Sequence, residues 1–429
     1  AFETLPYVAL SKTYSANQQT PDSAPTMTAI ITGVKTNDRL ISVSQRIAKN
    51  EQDAQKLRAE QLTTILEHAE LKGLSTGVIS TARLTHATPA ATYAHISNRD
   101  WESNAQLPAH TQVKDIAAQL VDNFGRGGMG DGLEVALGGG RTKFLPDTLI
   151  DPEYADKKGE RTDKRNLIQE YQQKFNAQYV WNKTQFDAID VHKTQRLLGL
   201  FEPSHMQYEH DRLANNQDSK KNSEPSLSEM TSKAIDLLAK NKQGYFLMVE
   251  AGRIDHAHHA GNAYRALSET VALSDAVKVA LSKVDLNNTL VIVTADHSHT
   301  FTIAGYPARG NPILGKVIAP GETNTTKAAD GKPYTTLGYA NGVGFHADDS
   351  DGHDLEEENV TLQPGRHANL ETVNTLLPNY RQEANVPLKS ETHGGEDVAI
   401  FAGGPQAHLF HGVQEQTHIF YVMKHALGL

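Results

Sequence analysis

An apolar run, Tyr245-Phe-Leu-Met-Val249, passes directly into Glu250-Ala-Gly-Arg-Ile-Asp-His-Ala-His-His259, and this junction limits what the chain can become. Such an unbroken run forms a strand buried on both faces, the kind found in parallel sheets covered by helices. Glu250 then stands at the strand's carboxyl end, where open α/β sheets place their ligands. Asp255 and His259 are four residues apart, so a helix after the strand puts both on one face, spaced as paired metal ligands. Alone, the stretch reads equally well as a solvated, His-rich helix start. The rest of the chain weighs against that, because the pattern recurs. Thr289-Leu-Val-Ile-Val-Thr294 leads to Asp296-His297-Ser298-His299, and Glu391-Thr-His393-Gly-Gly-Glu-Asp397 precedes the strand Val398-Ala-Ile-Phe401.

Composition narrows the chemistry. Hydrophobic residues make up 38% of 429, enough for the core of an α/β enzyme with insertions. A net charge of −10 speaks against a nucleic-acid partner, and an anionic substrate needs a local positive site such as metal ions. There is no Cys, so disulfides and thiolate zinc sites are excluded. With 20 His and 51 Asp+Glu, any metal must be held by nitrogen and oxygen. No run approaches the roughly 18 to 20 apolar residues of a membrane span. The chain opens Ala1-Phe-Glu, without Met or a signal peptide, and reads as processed or clipped.

In chain order, residues 7–13 predict a strand, and a polar loop leads to Pro21-Asp22-Ser23-Ala24-Pro25-Thr26. Ser23, with Pro25 in the first turn, is a good helix start. A lone Ser there is usually a cap; the sharper reading is a nucleophile where backbone N–H groups and the helix dipole favour a phosphate. Residues 45–70 predict an amphipathic helix and 74–81 a strand that leads to His86, Thr88 and Arg99. A helix over 112–124 and a strand over 133–137 flank Gly127-Gly-Met-Gly-Asp-Gly132, read as a flexible loop. Residues 151–225 form a peripheral excursion. Helices follow over 226–240 and 262–283, on either side of the 245–250 strand. Residues 305–392, rich in Gly, Pro, Asn and Asp, form an insertion between sheet elements, and a helix over 414–427 closes a single α/β domain of residues 1–429.

Strand ends that send out Asp255, His259, Asp296, His297 and His393 supply what a nitrogen- and oxygen-ligated dinuclear zinc site needs. Glu250 and Thr88 offer only oxygen, which suits Mg²⁺. With a Ser at a helix start and an Arg able to grip phosphate with two bonds, the set points to metal-assisted phosphoryl transfer.

The sequence resembles the alkaline phosphatases over essentially its whole length. The resemblance rests on Asp22-Ser-Ala-x-Thr, on His86-Ala-Thr-Pro-Ala with Arg99 thirteen residues on, and on Val249-Glu-Ala-Gly-Arg-Ile-Asp-His-Ala-His-His259. Thr294-Ala-Asp-His-Ser-His299 and Thr392-His-Gly-Gly-Glu-Asp397 complete it in the right order. Gly404-Pro-Gln-Ala-His408, Gly412-Val-Gln-Glu-Gln416, His86 and His256 are similar to the animal branch rather than the enterobacterial one. The resemblance implies a mostly parallel central sheet flanked by helices, with 305–392 as a crown-like insertion.

It also implies roles. Ser23 would be the nucleophile that becomes phosphoserine, and Arg99 the phosphate clamp. Asp255, His259 and His393 would hold one zinc, Asp296 and His297 a second, and Thr88 and Glu250 a Mg²⁺. His86, His256 and His299 would act behind these ligands. Glu153, Glu202, Glu224 and the carbonyl of Phe201 would form a calcium-like fourth site, with Glu224 standing where animal members carry Asp. Tyr306 would reach the partner subunit of a homodimer. Substrates would be small phosphomonoesters, and the setting periplasmic or secreted.

One departure stands out. The family's first strand ends in a Gly-Asp-Gly-Met-Gly-like motif whose Asp bridges Mg²⁺ and the Ser-side zinc, and Gly130-Asp131-Gly132 falls too late to replace it. The expectation is a weakly held second zinc, little Mg²⁺, and an impaired, phosphate- and metal-binding form as the alternative to a working enzyme. A sulfatase reading is weaker: Ser23-Ala-Pro25 begins that signature, but Met27 occupies its Arg position.

Overall fold

The computed structural model describes residues 1–125, 128–217, 223–346 and 362–429. Gly127 of the glycine-rich loop and residues 218–222 and 347–361 lie outside the described residues. The 151–225 stretch, expected to be peripheral, supplies the strands Gln178–Val180 and Leu197–Leu200 of the larger sheet.

The α/β expectation holds. Five parallel strands form the larger sheet in the order Gln178–Val180, Leu197–Leu200, Val135–Gly139, Ser75–Arg83 and Tyr245–Glu250. Side chains alternate along each strand, and the two faces feed separate cores. Val78, Ala136 and Leu198 join one core, which includes helices Ile65–Leu71, Ile116–Asp122 and Leu167–Phe175. Ile79, Val135, Leu137 and Leu197 join the other, against helix Leu227–Leu238. That helix begins at a capping box between Ser226 and Glu229 and buries Leu227, Met230, Ala234 and Leu238, the three-and-four spacing of one helical face. It packs on the long helix Ala263–Lys283.

The strands around the later motifs form a second sheet, ordered Val413–Glu415, Tyr7–Lys12, Val398–Gly403 and Val291–Thr294. Val398–Gly403 runs antiparallel to both neighbours. Tyr245–Glu250 and Val291–Thr294 are half-buried throughout, not fully buried as their apolar runs predict. Among the described residues each pairs on one side only, with Ser75–Arg83 and Val398–Gly403 respectively, so the other edge is less covered.

Three helix expectations change. Residues 45–70 hold two short helices, Ala54–Ala59 and Ile65–Leu71. Gln61 bridges to Val43 between them, and Thr64 opens a new helix by exchanging bonds with Glu67. The 112–124 helix is Ile116–Asp122, started by the Asp115 carboxylate on the Ala118 N–H. The closing helix begins only at His418, because Val413–Glu415 pairs with Tyr7–Lys12 as a strand. In the glycine-rich loop, the Asp131 and Gly132 N–H groups both donate to Glu70, which anchors what reads as free loop. Within and beside the 305–392 stretch, Phe301–Ile303, Leu337–Gly342 and Ala384–Pro387 form a small sheet.

Candidate active site

Helix Ser23–Thr32 starts the site. Its N-cap is Asp22, yet the Asp22 side chain makes no capping bond; its carboxylate accepts from Arg99 Nη1 instead. Burial works against that carboxylate, and Arg99 holds it below its usual range. Ser23, in the first turn, is buried with Oγ 3.0 Å from His297 Nε2. Thr26, one turn on, donates its hydroxyl to Asp296 Oδ2 at 3.0 Å.

His297 belongs to a convergent group. Asp255 Oδ1 lies 2.9 Å from Nε2 of His299, 3.3 Å from that of His393, 3.4 Å from that of His259 and 3.9 Å from that of His297. His259 and His393 face each other through Nε2 at 3.0 Å. Asp296 Oδ2 is 3.3 Å from His297 Nε2, so the two expected zinc sets form one continuous cluster. Three rings are turned by bonds at Nδ1: His259 to the Glu391 carbonyl at 2.6 Å, His393 to the Pro21 carbonyl at 2.6 Å, and His299 to the Glu391 carboxylate at 2.8 Å. Burial opposes ionisation of Asp255, but the surrounding imidazoles hold it well below the usual carboxylate range. Burial, then the charge of Asp255, pushes Asp296 up. For His299, burial is outweighed by Asp255 and Glu391, and its value rises to about 10.

Glu250 lies at the end of its strand and accepts from the Ser80 and Thr88 hydroxyls. Burial pushes it up to about 7. His86 and His256 gather with His205, their ligand atoms within 4.8 Å of one another. Each ring faces an arginine: His86 Nε2 meets Arg99 Nη2 at 2.9 Å, His205 Nε2 meets Arg83 Nη1 at 2.7 Å, and His256 Nδ1 meets Arg253 Nη1 at 2.9 Å. Burial, then neighbouring positive groups, keep His86 and His205 well below the usual histidine value, and the charges of the three arginines disfavour a cation held by the rings themselves.

The carboxylate cluster lies apart, beyond Val135–Gly139 and Leu197–Leu200. Glu153 accepts from Arg141 Nη2 at 2.9 Å, and Glu202 accepts from Tyr154 at 3.1 Å and Gln207 Nε2 at 3.2 Å. Glu224 accepts from the Gln207 N–H at 3.1 Å and shares a hydrogen bond with Glu202. Burial, then Glu202, pushes Glu153 up to about 7; burial raises Glu202, and burial, then the charge of Glu202, raises Glu224 well above its usual range. Phe201 adjoins Glu202 and packs its buried ring on Phe186. Tyr306 is 87% exposed on the single chain.

Sequence reasoning passed over Ser80, Asp22, His205, Asp151 and Glu391 as site residues. Glu391 and Asp22 lie inside motifs already singled out. Ser80 and His205 carry no signal in spacing, because their partners Glu250 and Arg83 come from distant segments, whereas Asp151 pairs with the nearby Arg141.

The arrangement combines a buried Ser at a helix start, a guanidinium beside it, and nitrogen and oxygen donors converging within reach of its hydroxyl. The sequence model of the family described as "Alkaline phosphatase" matches residues 1–429. The tissue-nonspecific isozyme of alkaline phosphatase from Gallus gallus is 44% identical over 434 residues, covering 99% of this chain and 77% of the relative. The Homo sapiens isozyme is 42% identical over 435 residues, covering 99% and 76%. Among solved structures, Thermus thermophilus alkaline phosphatase superimposes with a TM-score of 0.67 at 23% identity, covering 100% of this chain and 85% of that one. A histidine-to-aspartate mutant of TAB5 alkaline phosphatase, with Mg bound in its M3 site, gives 0.64 at 22% identity, covering 100% and 90%; these two speak to the fold. The chain belongs to the alkaline phosphatase family of metal-dependent enzymes and is a phosphomonoester hydrolase.

Proposed function

We propose that hydrolysis proceeds through a phosphoserine on Ser23. The observation that carries this reading is the 3.0 Å approach of Ser23 Oγ to His297 Nε2, beside the Arg99–Asp22 pair. Arg99 holds two phosphoryl oxygens in its planar fork. Ser23 gives its proton to solvent and attacks phosphorus in line; the bond from phosphorus to the ester oxygen breaks, and the leaving alkoxide takes a proton from water. A second water then attacks the phosphoserine and gives a proton to solvent; the bond to Oγ breaks, Oγ takes back a proton from solvent, and inorganic phosphate leaves.

Asp255, His259 and His393 would hold one zinc, Asp296 and His297 a second, and Thr88 and Glu250 a Mg²⁺, with His86, His256 and His299 behind them. The donor chemistry fits: imidazole nitrogens around one carboxylate suit zinc, and hydroxyl and carboxylate oxygens suit magnesium. Such ions, when bound, neutralise developing charge and lower the pKa of attached hydroxyl groups. Glu153, Glu202, Glu224 and the Phe201 carbonyl are read as a calcium-like site, supported by three buried, mutually repelling carboxylates. A homodimer joined through the 305–392 crown-like segment is supported by exposed Tyr306, Ile313 and Val386. By likeness to the family the protein is read as periplasmic or secreted; no helix among the described residues is long and apolar enough to cross a membrane.

Acid-quenching the enzyme with labelled phosphate tests the mechanism. Label should remain on the wild-type chain and be absent from Ser23→Ala. Label retained by that variant would refute the assignment, and metal uptake without turnover in the wild type would leave a phosphate- and metal-binding protein instead.

A further inference from the structure

Glu391 touches the cluster twice, through different parts of the same residue. Its side chain is fully buried, with Oε1 accepting from the Thr300 N–H at 2.6 Å and the Thr300 hydroxyl at 2.8 Å. Oε2 accepts from His299 Nδ1 at 2.8 Å. The main chain of Glu391 meanwhile pairs with His259: its carbonyl accepts from His259 Nδ1 at 2.6 Å, and its N–H donates to the His259 carbonyl at 3.0 Å. An imidazole whose Nδ1 proton is committed to an oxygen acceptor presents a lone pair at Nε2. The Nε2 of His259 lies 3.4 Å from Asp255 Oδ1, whereas His299 donates from its Nε2 to that same oxygen at 2.9 Å. His258 stacks on His299 at 4.7 Å between ring centres, so the ring has little freedom to turn away.

We propose that Glu391 is a positioning residue of the metal centre. Through its carbonyl it sets the tautomer and angle of His259; through its carboxylate it fixes the angle at which His299 donates to Asp255. The inference rests on the metal-centre reading above. The two contacts separate cleanly by mutation, because a side-chain change leaves the main-chain bond to His259 in place. Glu391→Gln keeps the length and one acceptor oxygen but removes the buried charge and lets an amide N–H face His299 or Thr300. The carboxylate's hold on His299, and through that ring on the proposed ligand Asp255, is then lost, and partners behind a metal ligand typically govern affinity by about 10- to 100-fold.

The test is a cobalt(II) titration of metal-stripped protein followed by visible absorption, beside the melting temperature of the metal-free forms. Wild type should bind cobalt. Glu391→Gln should bind about 10- to 100-fold more weakly, with shifted band positions, while Glu391→Asp, which restores the charge at shorter reach, falls between them. If Glu391→Gln does not fold, the Asp variant carries the same comparison. Identical affinity and bands in the variants and wild type would overturn the proposal. A lowered metal-free melting temperature with unmoved bands would overturn it too, since that marks packing alone. No cobalt uptake by the wild type would fell the metal-centre reading itself, a result visible without any variant.

Discussion

The histidine cluster, mostly half-buried, and the more deeply buried carboxylate cluster are both polar, yet they balance charge in opposite ways. Around Asp255, four imidazoles face one carboxylate, and Asp255 stays ionised despite its burial. Around Glu202, three carboxylates crowd together; Arg141 reaches Glu153, but Arg141 is also committed to Asp151 by two bonds. Burial therefore drives the second set toward protonation. The first cluster is held in place by protein partners before any cation arrives. The second is a concentrated cost that protons or a hard cation must offset. Chemistry needs the first kind of site, because its donors do not have to reorganise. A structural ion site can tolerate the second.

The largest way to break this contrast is to remove the shared anion. Asp255→Asn should lower kcat by about 10³-fold, the upper scale for losing one electrostatic stabiliser, and should reduce zinc retained after dialysis. Near-normal turnover with full zinc content would show that the imidazoles suffice. Next comes the phosphate clamp. Arg99→Lys loses the planar fork and should cost on the order of 1–3 kcal/mol in kcat/KM, with weaker inhibition by inorganic phosphate. Unchanged inhibition would remove Arg99 from the role.

The carboxylate cluster should respond in stability rather than rate. Calcium at about 100 times its dissociation constant should stabilise the fold by about 2.7 kcal/mol, read as a raised melting temperature, and Glu202→Gln should abolish most of that gain. Equal stabilisation in the variant would move the ion elsewhere.

The smallest effect comes from a third buried pair that needs no ion. His95 donates Nε2 to Glu67 at 2.7 Å and Nδ1 to the Ser42 carbonyl at 2.8 Å, so both ring nitrogens face acceptors. Burial disfavours the charged ring, but Glu67 and the Ser42 carbonyl hold it above the usual histidine value. A raised histidine contributes stability that is fully present below its unfolded value near 6.5 and lost as pH rises through the folded value. Denaturant melts from pH 6 upward should show that loss in wild type and not in Glu67→Gln. An equal slope in both would mean that other groups set it.

Much of the site was legible because its residues are local in sequence. Asp255 and His259 share one helix turn, Asp296 and His297 are adjacent, and each group follows an apolar run that ends at the site. Helix interruptions were harder to read. The amphipathic pattern of 45–70 continues through Thr64, whose exchange of bonds with Glu67 starts a separate helix. The pairing of Val413–Glu415 with Tyr7–Lys12 spans nearly the whole chain, and no local propensity announces it.

What the sequence determined by itself was the kind of atom available: no thiolate, abundant imidazole and carboxylate, and their attachment to strand ends in an α/β chain. Periodicity and motif spacing are local properties, so they survive without coordinates. Only the tertiary structure decided which donors share one oxygen, which rings are turned by a carbonyl, and which histidines face arginines instead of a cation. Glu391 illustrates the difference. Nothing in its neighbourhood in sequence says that its carboxylate will meet His299 and Thr300 while its carbonyl turns His259. Those contacts arise because helix Arg253–His259 and strands Ser298–His299 and His393–Gly394 are brought together by folding, and hydrogen bonds at that range depend on separation in space rather than along the chain.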